Sequence, residues 1–433
     1  MATLFYNISS LVRIAKNREQ YKISEEMQDI CEEHNSAMIF DEKILWVGNQ
    51  QLVEQYIDNK QNAARTHVPF TITNLNQPYQ IDKIYDLSGK TVMPGFVDPH
   101  THLIFGGSRA NEFIRRLQGA TYIDIAKEGG GILSTVRATR NASSEELYEN
   151  SEHLILSAIK HGTVAFEIKS GYGLDLNTEL KMLRVIKKLK ECLPVHISPT
   201  FLGAHDFPEE YKNNHDKYVD IICEEMLPKV TEEHLADYCD AFVDKGYYTI
   251  DQAEKIFRKA MDLGLKIKMH ADELAQFGGA ELASRINAVS ADHLLMVSDE
   301  GIKSLAKSKT VATLLPGTSF FIRVPYAPAR KIIDAGAITA LATDCNPGSS
   351  FTENMQMILW LAAINLKMTA EEALVACTLN SAYAIEQSHK LGSIEISKES
   401  SFIVLDSSSY KDLFYHYGVN HIEQVFIKGV EIK

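Results

Sequence analysis

Short apolar runs that end in polar residues, each followed by a helix-length amphipathic segment, recur from Pro94 onward. Both chain ends instead show strand-and-turn patterns, and 45% of the 433 residues are hydrophobic, enough for a large buried core. Together these observations predict an α/β fold. It is a TIM-type (β/α)8 barrel over residues 94–387, joined to a small β-sandwich module formed by residues 1–93 and 388–433.

In the N-terminal part, residues 37–40 and 44–47 alternate like strands around an Asp41-Glu42 turn, and a polar stretch fills 50–80. The clearest barrel unit begins at Thr249. Ala253, Ile256, Phe257, Ala260 and Met261 recur at helical spacing, Gly264 closes the helix, and 265–269 form a strand that delivers His270 at its C-terminal end. The same reading puts His102 after a strand at 95–97, His205 after 195–198, His293 near 288–290 and Asp344 after 337–343. Thr369 and Glu372 form a capping box for a helix expected to run to about Ala384, and strands are expected again at 392–406 and 424–433.

A net charge of -13 argues against a nucleic-acid footprint and leaves no basic face for an anionic membrane. No basic, apolar leader pattern or bilayer-length apolar run is present, so the expected location is cytoplasmic. Cys31, Cys192, Cys223, Cys239, Cys345 and Cys377 lack CxxC spacing, which suggests neither a disulfide framework nor a thiolate zinc site. Glycine clusters at 129–131 and 171–173 match neither a P-loop nor a dinucleotide fingerprint.

In a barrel of this kind, polar residues at the C-terminal strand ends share one pocket. His100 and His102 are two apart in an extended segment, so both imidazoles point to one side. With His270 and Asp344 at later strand ends, they make three neutral nitrogens and one carboxylate, a donor set for one divalent cation with a position left for water. Zn2+ suits this set and Fe2+ accepts it too. Glu273, three residues beyond His270, is expected either to move a proton in the cavity or to serve as a helix N-terminal carboxylate. Asp344 or His293 is expected to accept the proton of the attacking water, with a satisfied core histidine as the plainer reading of His293. Lys169 reads either as a carbamylated metal bridge or as a structural or solvated cation.

The strand-end His-x-His, the later His and the final Asp resemble the amidohydrolase superfamily. Longer segments are similar to the imidazolonepropionase family: residues 94–102, 119–125, 129–132 and 169–184, His270-Ala-Asp-Glu, and 343–349. This resemblance implies a mononuclear site with His100, His102, His270 and Asp344 as ligands, and hydrolysis of 4-imidazolone-5-propanoate to N-formimidoyl-L-glutamate. It also implies that Arg109, Tyr122, Tyr172, His205 and Glu273 surround a small carboxylate substrate, with Asn346, Gly348 and Ser349 lining the pocket, in a homodimer. Ser349 stands where Thr is common, and the 396–402 turn departs from the family's usual form. Two alternatives remain: a nucleobase-type amine deaminase on the same barrel, whose substrate carries no carboxylate, and a catalytically silent scaffold.

Overall fold

The computed structural model describes residues 2–58, 70–120 and 129–432. Its centre is an eight-stranded sheet ordered as the chain runs. The strands are Phe96–Asp98, Thr163–Lys169, His196–Ala204, Tyr238–Val243, Lys266–Ala271, Ser290–His293, Val311–Leu314 and Thr339–Leu341. Every ladder between successive strands is parallel. The strands are buried almost throughout, as expected where helices cover the outside and side chains fill the inside.

The seam between the first and last strands closes just beyond their ends. Thr101 and Cys345 form a parallel bridge, the His102 amide donates to Cys345 O at 3.0 Å, and the Asp344 amide donates to His100 O at 3.1 Å. Closure of the barrel therefore brings the His-x-His segment alongside Asp344, which lies some 240 residues away in sequence.

Two further sheets pack face to face. One holds Ala2–Ile8, Ser36–Phe40, Ile44–Asn49, Phe70–Ile72 and Tyr79–Asp86; the other holds Ser10–Val12, Glu32–Glu33, Thr91–Pro94, Phe402–Leu405, Ile422–Ile427 and Val430–Ile432. Phe402–Leu405 runs antiparallel to Thr91–Pro94, so the two chain ends share a sheet. Phe5, Phe40, Phe402 and Phe426 fill the space between, with Phe5 edge-on to Phe40 at 4.8 Å and Phe402 stacked on Phe426 at 5.0 Å. Each such pair adds about 0.5–1.5 kcal/mol beyond area burial.

Several expectations shift. Part of the polar stretch 50–80 is a helix, Gln51–Asp58, because Val53 and Ile57 cover Trp46, Ile72 and Tyr79 on the outer face of the first of these sheets. The third barrel strand extends to Ala204, so His205 follows it directly. The helix expected from Thr369 to Ala384 is two helices, Ala370–Ala376 and Leu379–Ala384. The break frees the Cys377 carbonyl, which accepts from the Val97 amide of the first barrel strand at 2.9 Å. Of 392–406, only Phe402–Leu405 is strand. Before it the chain turns around the buried Lys398 ammonium, which donates to Ser388 O and Ser393 Oγ, both at 2.6 Å.

Candidate active site

At the closing seam, His100 Nε2 and His102 Nε2 each lie 3.5 Å from Asp344 Oδ1, while Asp344 Oδ2 accepts from Thr318 Oγ1 at 2.5 Å. The ring of His270 lies 4.6 Å from that of His100, and His293 lies 5.1 Å from His270. Among the described residues, candidate ligand atoms fall within 4.8 Å of one another in three overlapping groups: His100, His102 and Asp344; His100, His270 and His293; and His102, His205 and His270. Asp344 and His293 both hold positive φ, 52° and 78°, a left-handed conformation that Asp and His take more readily than most side chains.

The donor set fits a cation. His100 Nε2, His102 Nδ1, His270 Nε2 and His293 Nδ1 are buried without a hydrogen-bond partner among the described residues. Each such atom costs about 1–3 kcal/mol if left unpaired. Burial keeps the imidazoles of His100, His102 and His293 uncharged by pushing their pKa values well down, so their lone pairs are available. His270 is the exception. Burial alone would lower its pKa, but the Asp240 carboxylate at 3.0 Å outweighs that and raises it.

Beneath the histidines lies a layer that sequence reading missed. His100 Nδ1 meets Asp292 Oδ2 at 2.7 Å, and Asp240 reaches His270 through both the ring and the backbone amide. Lys169 Nζ sits 2.7 Å from Glu167, 2.9 Å from Asp240 and 3.8 Å from Asp292. The signal available was acidic residues inside apolar strand runs, Asp240 in Tyr238–Val243 and Asp292 beside His293, since such acids stay buried only when paired. Lys169 is thus a buried, ion-paired ammonium. Carbamylation needs a neutral amine, and three carboxylates favour the charged one despite burial.

Above the floor opens a cavity of about 620 Å3, lined among others by Arg109, Tyr172, His205, Glu273, Asn346 and Ser349. Tyr172 rides on the glycine loop that the buried Glu179 carboxylate holds, accepting from the amides of Gly171, Gly173 and Leu174 at 3.1, 2.7 and 3.0 Å. His205 stacks on His102 at 5.0 Å, and its Nδ1 meets Gly171 O at 3.0 Å, a contact that a Cβ on Gly171 would disrupt. With Nδ1 donating, Nε2 is left as an acceptor.

Glu273 is not at a helix N-terminus. It belongs to the loop before Gly279–Arg285, fixed by Asp244, whose carboxylate accepts from the Glu273 and Leu274 amides, both at 2.7 Å. Burial, then the nearby Asp344 charge, raise its carboxyl to about 8, and it sits 3.5 Å from His293 Nε2. Arg109 is paired with Glu112 at 2.8 Å and packs so close to Gly348 that a Cβ there would collide with its guanidinium. Asn346 Oδ1 accepts from the Gly348 and Ser349 amides, both at 2.8 Å, shaping that wall. Arg116, another residue the sequence reading passed over, lines the same wall, 5.0 Å from the Phe321 ring. Tyr122 lies outside the described residues. Cys345 is buried, its thiol pushed up by that burial.

A parallel barrel with this His, Asp and Glu constellation at its C-terminal face defines a class, the metal-dependent barrel hydrolases. The family profile "Amidohydrolase family" matches residues 91–432. The fold is also that of an adenosine deaminase from Xanthomonas campestris with bound zinc, with a TM-score of 0.68 at 16% identity, covering 99% of this chain and 92% of that one. More specifically, the chain is 45% identical over 424 residues to the imidazolonepropionase of Geobacillus sp. (strain WCH70), covering 98% of this chain and 96% of that protein. It is 49% identical over 347 residues to that of Clostridium tetani, covering 80% and 83%. The chain belongs to the imidazolonepropionase family, metal-dependent hydrolases within the amidohydrolases.

Proposed function

We propose that the protein opens the ring of 4-imidazolone-5-propanoate, adding water to give N-formimidoyl-L-glutamate, with one divalent metal held by His100, His102, His270 and Asp344. The observation that carries this is the convergence of those four side chains at the barrel seam, in a cavity that Arg109 also lines. When bound, the metal supplies a Lewis acid and lowers the pKa of water, and Zn2+ and Fe2+ both suit the donors.

The remaining work falls to side chains. Arg109 takes the propionate, assisted by Tyr172 and, by resemblance, Tyr122. His205 Nε2 accepts from a ring N–H, and the wall of Asn346, Gly348 and Ser349 sets the cavity's width. His293 Nε2 and Glu273 lie 3.5 Å apart and form a proton-transfer pair: His293 takes the proton of the attacking water, and Glu273 delivers a proton to the ring nitrogen as the carbonyl C–N bond breaks. Asp344, held by Thr318, stays a carboxylate ligand.

The same reading takes residues 1–93 with 388–433 as the sandwich module and 94–387 as the catalytic barrel, supported by the pairing of Thr91–Pro94 with Phe402–Leu405. It takes the protein as a cytoplasmic homodimer. Exposed Ile364, Tyr415 and Tyr417 on packed neighbouring segments support the dimer, which light scattering would test. Among the described residues no helix is long and apolar enough to cross a membrane. Mass spectrometry of products from metal-assayed protein and fresh imidazolonepropionate tests the reaction. N-formimidoyl-glutamate, lost on chelation, is expected; ammonia with no ring-opened acid would favour the deaminase instead.

A further inference from the structure

Lys169 is a fully buried charged group that the proposed reaction does not use, and its contacts reach both sides of the metal site. Its backbone amide donates to Thr101 O at 3.0 Å, between His100 and His102. Its ammonium bridges Asp240 and Asp292, and those carboxylates contact the Nδ1 atoms of His270 and His100. A second buried lysine, Lys268, donates to Pro99 O at 2.7 Å, next to His100, and lies 3.9 Å from the same Glu167 that pairs with Lys169. All of these side chains are fully buried, so water cannot replace a missing member.

We propose, building on the ligand set above, that Lys169 is a positioning residue for the metal centre: by clamping Asp240 and Asp292 it fixes the ring orientations of His270 and His100. The physical reason is geometric. A carboxylate that holds Nδ1 of a ligating histidine sets which nitrogen faces the ion and where the ring points. Two such carboxylates in a dry interior repel each other unless a cation lies between them, and Lys169 Nζ is within 4 Å of both. Without it, Asp240 and Asp292 separate or take up protons, and the two rings lose their common aim.

The test is metal affinity, read independently of turnover. Chelator competition would be run on wild type, Lys169→Met and the charge-balanced Lys169→Met/Glu167→Gln, with circular dichroism of the metal-free proteins to establish folding. The Co2+-loaded forms would be compared by visible spectroscopy. Loss of an outer partner of a metal ligand typically weakens binding by about 10–100-fold, and that loss is expected in both variants, with a shifted cobalt band. A purely structural role predicts that restoring charge balance restores affinity. Affinity within twofold of wild type in either folded variant, with an unchanged cobalt band, overturns the proposal. Should both lysine variants fail to fold, Asp292→Asn, nearly isosteric, decides on the same criteria. The ligand set fails separately, and the proposal with it, if His270→Ala binds metal as tightly as wild type; affinity lost in His270→Ala but kept in the lysine variants overturns the clamp alone.

Discussion

The floor and the wall of the cavity are built on opposite principles. On the floor, the side chains of His100, Asp292, Asp240 and Lys169 are all 0% exposed and tied together from the second, fourth and sixth barrel strands and the segment just beyond the first. On the wall, Arg109 and Glu112 are 15% and 18% exposed; Arg109 caps and Glu112 belongs to a short helix, Ala110–Leu117, none of whose residues is buried. The floor is therefore rigid and intolerant of change, since breaking a buried charge network costs about 3–5 kcal/mol. The wall pairs with water and substrate at little structural cost. In the proposed function, the floor makes the chemistry possible and the wall chooses the molecule.

Variants should separate these roles. His270→Ala is expected to lose metal and at least roughly 10^3-fold in kcat/KM, because several kcal/mol of transition-state stabilisation leave with the ion; metal analysis beside steady-state kinetics reads both. Glu273→Gln, at the border between the two regions, should lower kcat by about 10^2–10^4-fold with metal content unchanged. The Glu273 carboxyl ionises near 8 in the folded metal-free protein against an ordinary 4.5, so the folded state binds the extra proton between those values. Its contribution is thus intact below 4.5 and lost as pH rises through 8. Metal-free Glu273→Gln should accordingly melt higher than wild type at pH 9 and differ less at pH 5, measured by calorimetry.

Arg109→Ala should raise KM by roughly 10–100-fold, the worth of a charge-assisted contact, with a much smaller change in kcat. Gly348→Ala should do the same more weakly, by displacing the guanidinium that packs against it. If either change instead removed metal, the division between floor and wall would fail. Far from both, Phe402→Ala in the sandwich should cost about 3–5 kcal/mol of stability in denaturant unfolding while leaving kcat/KM within twofold.

How much of this was legible in the sequence follows the same division. The barrel could be read because its strands are short apolar runs separated by amphipathic helices. The ligand candidates could be read because His and Asp at strand ends stand out against that pattern. Asp240 and Asp292 were passed over because an acid inside a strand signals a buried partner without naming it, and the partners are His270 and His100, 30 and 192 residues away. The broken helix at Cys377 was equally hidden: local spacing favours one continuous helix, and only the Val97 amide, far off in the chain, makes the break worthwhile. Gly348 gave no sign that its missing side chain is the space Arg109 occupies.

Anomalous diffraction from metal-loaded crystals tests the central claim most directly. The account predicts a single ion at the seam, about 2.0–2.2 Å from nitrogens of His100, His102 and His270 and an oxygen of Asp344, with Lys169 an uncoordinated ammonium beneath. Two ions bridged by Lys169, or one ion ligated by His205 or His293 in place of His270, would contradict it.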